Sequence, residues 1–195
     1  MKGKITVLFG LVLMLAGLLW YASTRRDSAC AAQAVREIAP QLQDAAISAT
    51  VPVSEPTLEN NADAQMKETV IDGIGYVGLL KIAALSLDLP VISCWSTENG
   101  KVAPCRYAGS VHQDNMIVCA HNYSSHFGKL NQLESGDTVI FTDIDGNEHI
   151  FQVEQFLTLD GTDVEKIRDG DWDLTLFTCT PGGTMRYCVR CGRVS

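Results

Sequence analysis

The feature that most constrains the fold of this chain is a series of short strand-like runs that starts near residue 70 and continues to the C-terminus. The runs read GYVGLLKIA, LDLPVIS, NMIVCAH, TVIFTDIDGNEHIFQVEQF, DLTLFTC and MRYCVRCGRV, and Asp145-Gly146 in the fourth run is typical of a hairpin turn. Between the runs only SSHFGKLNQL has helical character. Many short strands with few helices favour an all-β barrel or sandwich, and roughly 125 residues suffice to close one barrel.

The N-terminal segment has the character of a membrane span. Residues 5–22 are free of charge, and a helix of that length, at about 1.5 Å per residue, extends roughly 27 Å, close to the ~30 Å hydrocarbon core of a bilayer. Trp20 and Tyr21 stand at its far end, where amphipathic rings favour the interface. A cleaved signal peptide, the alternative, has a shorter apolar region of about 7–15 residues. We therefore predict an uncleaved signal anchor over residues 5–23.

The charges that flank this segment do not decide its orientation. Residues 1–4 and residues 25–26 carry nearly equal positive charge, so the positive-inside rule is close to a tie, and orientation has to follow from function. Beyond residue 26 the chain has 11 basic residues against 23 acidic ones, a net charge of −12. Such a domain is a poor binder of nucleic acid, which depends on lysine and arginine.

Residues 24–69 form a predicted stalk and linker ahead of the domain at residues 70–195. The first part is rich in alanine and glutamine and predicts a helix that is interrupted at Pro40. Residues 51–69 have the polarity and the prolines of a linker.

The cysteine content excludes a complete disulfide framework within one chain, because the seven cysteines are an odd number. Cys188 and Cys191 form a CxxC motif, but no second closely spaced pair completes a zinc site. Residues three apart in a strand also point to opposite faces. Two packed thiols are favoured over a redox or metal role, and no metal or cofactor is predicted.

A nucleophile is indicated at Cys179, which closes a strand over residues 173–179. Alternation places this cysteine on the face away from Leu174 and Leu176, and the Thr-Pro-Gly-Gly sequence that follows cannot continue the strand. The return strand begins near Arg186, seven residues later, so the guanidinium can lie beside the thiol on the same face. We expect the guanidinium there either to lower the thiol pKa or to hold an anionic oxygen during acyl transfer.

Four histidines are candidates for the partner of this thiol. His121 follows the strand-like run at residues 116–120 and so stands at a strand end. His149 lies within the hairpin strand, and His112 and His126 lie in loop-like sequence, where a structural role is favoured.

Several segments of the sequence resemble those of the sortases. LTLFTC, followed by Arg186, is similar to the TLxTC signature with its downstream arginine, and VCAHNYSSHFGKLNQLESGDTVIF is similar to the histidine segment. GYVGLLKIAALSLDLPV resembles the first two strands of that family, and CRYAGS the approach to the histidine strand. The resemblance extends from about residue 74 to the C-terminus.

The resemblance implies a closed eight-stranded β-barrel and a catalytic triad of His121, Cys179 and Arg186. It also implies that Thr178 and Asn122 contribute to substrate binding or to the oxyanion site, although a packed strand residue is an equal reading of Thr178. Such enzymes cleave a C-terminal sorting signal, for example LPxTG, through a thioester. An amine of a peptidoglycan precursor or of a pilin then resolves the thioester. The N-terminus is then cytoplasmic and the catalytic domain extracellular, on a single-pass anchor in the membrane of a Gram-positive cell.

Departures from the family pattern bear on the class. The loop between Cys179 and Arg186 is short, and no second apolar span follows Arg186, which argues against the pilin-polymerising class with a C-terminal anchor. These features favour a class B-like or clostridial type. The alternatives are an L,D-transpeptidase, in which histidine immediately precedes cysteine, a cysteine peptidase with cysteine before histidine, and a non-catalytic anchored binding module.

Overall fold

The structure is a computed structural model that describes residues 2–49 and 66–194. Its strands are β1 Thr69–Ile71, β2 Ile74–Ile82, β3 Leu87–Ile92, β4 Cys105–Ala108, β5 Met116–Cys119, β6 Thr138–Asp143, β7 Glu148–Asp160, β8 Leu174–Cys179 and β9 Met185–Arg193. Its helices are α1 Lys2–Ala49, α2 Asn99–Val102 and α3 Val164–Arg168, and single 3₁₀ turns lie at Ala83–Leu85, Val111–Gln113 and Leu130–Gln132. Most of the predicted linker, residues 51–65, lies outside the described residues.

The strands from β2 to β9 form a closed barrel. Hydrogen-bonded neighbours follow the order β1-β2-β3-β4-β5-β8-β9-β7-β6, and β6 also pairs with β2, which closes the ring of eight strands. Within the described residues, the short strand β1 pairs with the first residues of β2 and with no other strand. This arrangement confirms the predicted closed eight-stranded barrel. Two of the pairings, β3 with β4 and β5 with β8, are parallel.

Alternation along the strands divides the apolar side chains between two clusters. Leu174 and Leu176 of β8 belong to the barrel interior, whereas Phe177 belongs to a second cluster on the outer face. Leu42 of α1 and Ile167 of α3 are also members of the outer cluster. The outer face of β8 is therefore covered by apolar residues, and Cys179 has the same parity as Phe177.

The predicted hairpin turn joins β6 to β7. The carboxylate of Asp143 accepts hydrogen bonds from the backbone N–H groups of Asp145 and Asn147, at 3.0 and 2.9 Å. Gly146 has a positive φ of 84°, a conformation that glycine adopts without steric cost. The turn prediction at Asp145-Gly146 is confirmed.

Helix α1 continues through Pro40, where the sequence predicts an interruption. Proline removes one helical hydrogen bond, but Ile38 and Leu42 on either side pack into the outer cluster and hold both flanking turns against the barrel. Gln43 also donates to the carboxylate of Asp88 at 3.2 Å. Packing of the helix on the barrel therefore outweighs the local cost of the proline.

The predicted helix at SSHFGKLNQL is wrong. The segment forms consecutive turns that end in the single 3₁₀ turn at Leu130–Gln132. His126 and Phe127 within it are both fully buried. A short helix on the surface buries one face and would not bury two adjacent residues completely. The short helices α2 and α3 lie elsewhere in the chain.

Apolar side chains in the first half of α1, including Phe9, Met14 and Leu19, are exposed. In the part of the chain that the structure describes, no helix has both the length and the apolar character that crossing a membrane requires.

Candidate active site

Barrel closure places His121 next to Cys179. Strands β5 and β8 run parallel with Cys119 aligned to Phe177, and the Ala120 N–H donates to the Phe177 carbonyl at 3.2 Å. Continuing this register by two residues brings His121 level with Cys179 on the same outer face. The two residues lie 58 positions apart in sequence, and both line one cavity of about 200 Å³.

Arg186 lies directly across from Cys179. The antiparallel register of β8 and β9 pairs these two residues, so their side chains leave the same face of the sheet. The guanidinium donates to the carbonyls of Gly183 and Met185, at 3.0 and 3.2 Å. These contacts keep it at the start of β9, where it lines the same cavity as His121 and Cys179.

The other two arginines of β9 are occupied elsewhere. The buried Arg190 donates to the Lys166 carbonyl at 2.8 Å and lies over the ring of Trp172. Arg193 donates to Asp114 at 2.7 Å and to the Val111 carbonyl at 2.6 Å. Arg186 is therefore the arginine of β9 that lies beside the thiol.

Thr178 connects the ends of β5 and β8. Its side chain is buried, and its hydroxyl donates to the Ala120 carbonyl at 2.8 Å. Because Ala120 and Thr178 immediately precede His121 and Cys179, this bond fixes the spacing between the ends of β5 and β8. The hydroxyl is thus engaged with the protein backbone, which agrees with the packed-strand reading of this residue.

Asn122 connects the segment after His121 with the loop after Cys179. Its amide donates to the Thr180 carbonyl at 3.5 Å, and the side chain is exposed. It lines a second cavity, of about 270 Å³, which borders Cys179 together with Phe127 and Tyr187. Cys179 therefore lies between two cavities, one on the His121 side and one on the Asn122 side.

The first cavity is largely apolar. Apart from His121, Arg186 and Thr178, its wall consists of Trp95, Tyr107, Cys119, Ala120, Gly161, Val164, Ile167, Phe177 and Cys179. No sequence motif marks Trp95, Val164 or Ile167 as part of the site. Trp95 reaches it because the β3–β4 connection folds over the outer face, and Val164 and Ile167 reach it because α3 does so. The position of Tyr107 on the outer face follows from strand alternation once β4 is known.

The surroundings of His121 disfavour the charged form of its imidazole. Burial, and then the positive charge of Lys101, lower the pKa of His121 below its usual value of 6.5. Its Nε2 is buried without a hydrogen-bond partner. A neutral ring with a free nitrogen is the state that a base needs in order to accept a proton.

Four of the remaining thiols are buried and suited to packing, whereas Cys30 and Cys94 are exposed. All seven cysteines are free, and burial raises the pKa of Cys105 to about 12 and that of Cys188 to about 11. Cys188 belongs to the outer cluster and Cys191 to the barrel interior, so the CxxC pair is divided between the two faces, as predicted. Cys119 is also buried, and burial raises its pKa.

One group of described residues has the spacing of a metal site: His112, Asp143 and His149. Both ring nitrogens of His149 are already engaged, however. Nε2 lies 3.2 Å from Asp143, and Nδ1 lies 3.1 Å from the Arg193 guanidinium, which can only donate. The contacts therefore describe a charged hydrogen-bond network around the β6–β7 hairpin.

Comparison with known proteins gives a consistent result. A model of the sortase domain matches residues 80–194. Sortase C1 from Streptococcus agalactiae is 25% identical, with 65% of this chain and 71% of that chain covered and a TM-score of 0.57. Sortase C from Streptococcus pneumoniae is 19% identical, with 80% and 88% covered and a TM-score of 0.56. Sortase A from Listeria monocytogenes is 23% identical, with 62% and 88% covered and a TM-score of 0.57. No curated protein sequence matches the chain.

The structure at 25% identity is a sortase C1, so the likeness at that level is class C-like rather than class B-like. The class B-like or clostridial type was predicted from the length of the loop between Cys179 and Arg186 and from the number of apolar spans. The loop and the spans lie outside the strands of the barrel. The matched segment contains every residue of the proposed triad and covers more than half of the chain. The chain therefore belongs to the sortase family.

Proposed function

We propose that this protein is a cysteine transpeptidase that acts on C-terminal sorting signals of the LPxTG kind. Cys179 attacks the peptide carbonyl, a thioester forms, and an amine of a peptidoglycan precursor or of a pilin subunit releases the product. The observation that carries the proposal is the position of Cys179, with His121 level with it just beyond the end of β5 and Arg186 opposite it on β9. The three residues line one cavity.

The cavity on the His121 side suits the peptide. Its walls of Val164, Ile167 and Tyr107 match the apolar residues of an LPxTG-like signal, and burial of apolar side chains contributes roughly 25 cal/mol per Å². We assign the second cavity, beside Asn122 and Thr180, to the incoming amine. Separate sites on either side of the thiol allow the amine to approach the thioester while the acyl group stays bound.

In the proposed mechanism His121 is the base and acid, Cys179 is the nucleophile, and Arg186 stabilises the oxyanion. The neutral His121 accepts the proton of the Cys179 thiol, and the thiolate attacks the carbonyl carbon. The resulting imidazolium returns the proton to the leaving amine. Arg186 turns its donors from the loop carbonyls to the developing oxyanion, an interaction typically worth about 2.7–4 kcal/mol. In the second half, His121 removes a proton from the incoming amine.

A peptide assay tests the proposal directly. The protein without residues 1–26 is incubated with a fluorogenic LPxTG peptide, with a library of variant motifs, and with or without a primary amine. We expect amine-dependent transfer and a thioester adduct in the mass spectrum, both absent in Cys179→Ala. His121→Ala should lower kcat/KM by orders of magnitude. Transfer that survives in Cys179→Ala, or inactivity against the whole library, would contradict the proposal.

Thiol labelling separates an enzyme from a non-catalytic binding module. Cys30 and Cys94 are exposed and will react with a methanethiosulfonate reagent, so both are replaced by serine before labelling. Cys179 should then react quickly, while the four buried thiols should react slowly because burial raises their pKa. Faster labelling of Cys105 or Cys119 than of Cys179 would favour the binding module.

We also propose that the protein is anchored in the cell membrane through residues 5–23, with the catalytic domain outside. The basis is the uncharged run in the sequence and the extracellular location of the proposed substrates. The Streptococcus pneumoniae sortase C, a structural relative, has pilin substrates. Fractionation of cells that express the full chain, with protease shaving of intact cells, tests both the anchor and its orientation. Recovery of the full chain in the cytosolic fraction would contradict this proposal.

A further inference from the structure

The ring of His121 contacts two aromatic side chains. The ring centroid of Trp95 lies 5.8 Å away with an interplanar angle of 62°, and that of Tyr123 lies 5.1 Å away at 33°. Tyr123 in turn lies 5.5 Å from the ring of His126. The four rings form a continuous row, which we call the histidine stack: Trp95, His121, Tyr123 and His126.

The Nε2 atom of His121 is buried and has no hydrogen-bond partner, so no hydrogen bond to that atom orients the ring. A catalytic base is commonly oriented by a third group that binds it, and a displacement of about 1 Å can cost on the order of 10²-fold in rate. The ring contacts of the histidine stack are therefore the described interactions that can fix the plane of the imidazole.

The far end of the stack is anchored firmly. His126 is fully buried, and neither of its ring nitrogens has a hydrogen-bond partner. The segment that carries it is folded back on itself, since the N–H groups of His126 and Gly128 donate to the Tyr123 carbonyl at 3.0 and 2.9 Å. A Cβ on Gly128 would meet the carbonyls of Asn122 and Tyr123, so only glycine allows the chain to approach this closely.

Helix α1 supports the same segment from outside the barrel. The Ser125 hydroxyl donates to the Ser28 carbonyl of α1 at 3.3 Å. Burial, and then the nearby carboxylate of Asp27, raise the pKa of Tyr123. The ring of Tyr123 itself contacts the rings of His121 and His126.

We propose that Tyr123, backed by the buried His126, is a positioning residue that holds the imidazole of His121 in the plane required for proton transfer with Cys179. The inference rests on the proposed function, because it assigns a role to a neighbour of the proposed base. What matters is the aromatic ring of Tyr123, since its contact with His121 is between the two rings, which are tilted by 33°, and the hydroxyl is dispensable.

Three variants test this role. Tyr123→Phe keeps the ring, Tyr123→Leu removes it, and Phe141→Leu removes a fully buried ring from the barrel interior, remote from the site, as the control for lost packing. Transfer kinetics are measured on the folded fraction of each protein. The titration of the His121 ring is followed by NMR in a Cys179→Ala background, which gives a readout that does not depend on activity.

We expect Tyr123→Leu to lower kcat by tenfold or more, with KM changed by less than about threefold, and to move the His121 titration toward its ordinary value. Tyr123→Phe and Phe141→Leu should keep kcat within about threefold of the parent. Unchanged kcat and an unchanged His121 titration in folded Tyr123→Leu would overturn the inference, as would an equal loss of kcat in Phe141→Leu. A parent protein without Cys179-dependent transfer would instead refute the proposed function.

Discussion

Replacement of His126 by phenylalanine should remove much of the acid lability of this protein. Burial lowers the pKa of His126 from 6.5 to about 4, and a backbone acceptor at Val102 only partly opposes this effect. In the unfolded chain the imidazole takes up a proton as the pH falls through 6.5, whereas in the folded protein it stays neutral until about pH 4. The unfolded state therefore binds more protons in this window, and the stability of the folded state falls as the pH falls.

The size of the effect follows from the two pKa values. At about 1.36 kcal/mol per pKa unit, the full loss is ~3.4 kcal/mol, of which about 2 kcal/mol is reached at pH 5. Neither ring nitrogen of His126 makes a hydrogen bond of normal geometry, and the Val102 acceptor is a weaker contact, so an apolar ring of similar shape loses little hydrogen bonding. The loss levels off below pH 4, where the folded protein is protonated as well.

Urea unfolding of the parent and of His126→Phe at several pH values between 7.5 and 4 measures this contribution. As the pH falls across that range, the unfolding free energy of the variant should rise by about 3 kcal/mol relative to that of the parent. The other titrating groups are the same in both proteins, so their contributions cancel in this difference. His112→Phe, at an exposed histidine, is the control for replacing a histidine outside the buried core. A flat difference for His126→Phe would show that His126 is hydrated or protonated in the folded protein and would refute the reasoning.

Three further predictions follow from the described contacts. Arg186→Lys should lower kcat/KM by orders of magnitude because lysine lacks the planar donor pair. Arg190→Ala should change kcat/KM by less than about tenfold. It should lower the urea midpoint of unfolding, because the hydrogen bond to the Lys166 carbonyl is lost. Removal of residues 1–26 should leave a soluble, monomeric and active protein by gel filtration and peptide assay. Removal of residues 1–49 should lower the melting temperature, because it also deletes the buried part of α1. Thr178→Val should cost about 1–3 kcal/mol in urea unfolding by leaving the buried Ala120 carbonyl unpaired, and a cost near zero would count against its role between β5 and β8.

The sequence by itself determined the features that depend on near neighbours in the chain. Period-two alternation in β8 places Cys179 on the face opposite Leu174 and Leu176, and a tight loop returns the chain so that Arg186 pairs with the thiol. The Asp145-Gly146 turn follows from local backbone preferences in the same way. Such features need only the few residues around them, so a pattern can predict them without knowledge of the rest of the fold.

Only the tertiary structure decided the features that depend on distant segments. His121 is level with Cys179 because barrel closure makes β5 and β8 parallel neighbours across 58 residues, and the sequence indicated that pairing only through family resemblance. Helix α1 continues through Pro40, and SSHFGKLNQL folds into turns around the buried His126. In each case, burial of many side chains against distant strands outweighs a local preference worth a few kcal/mol. The aromatic neighbours of His121 were brought together by the same packing.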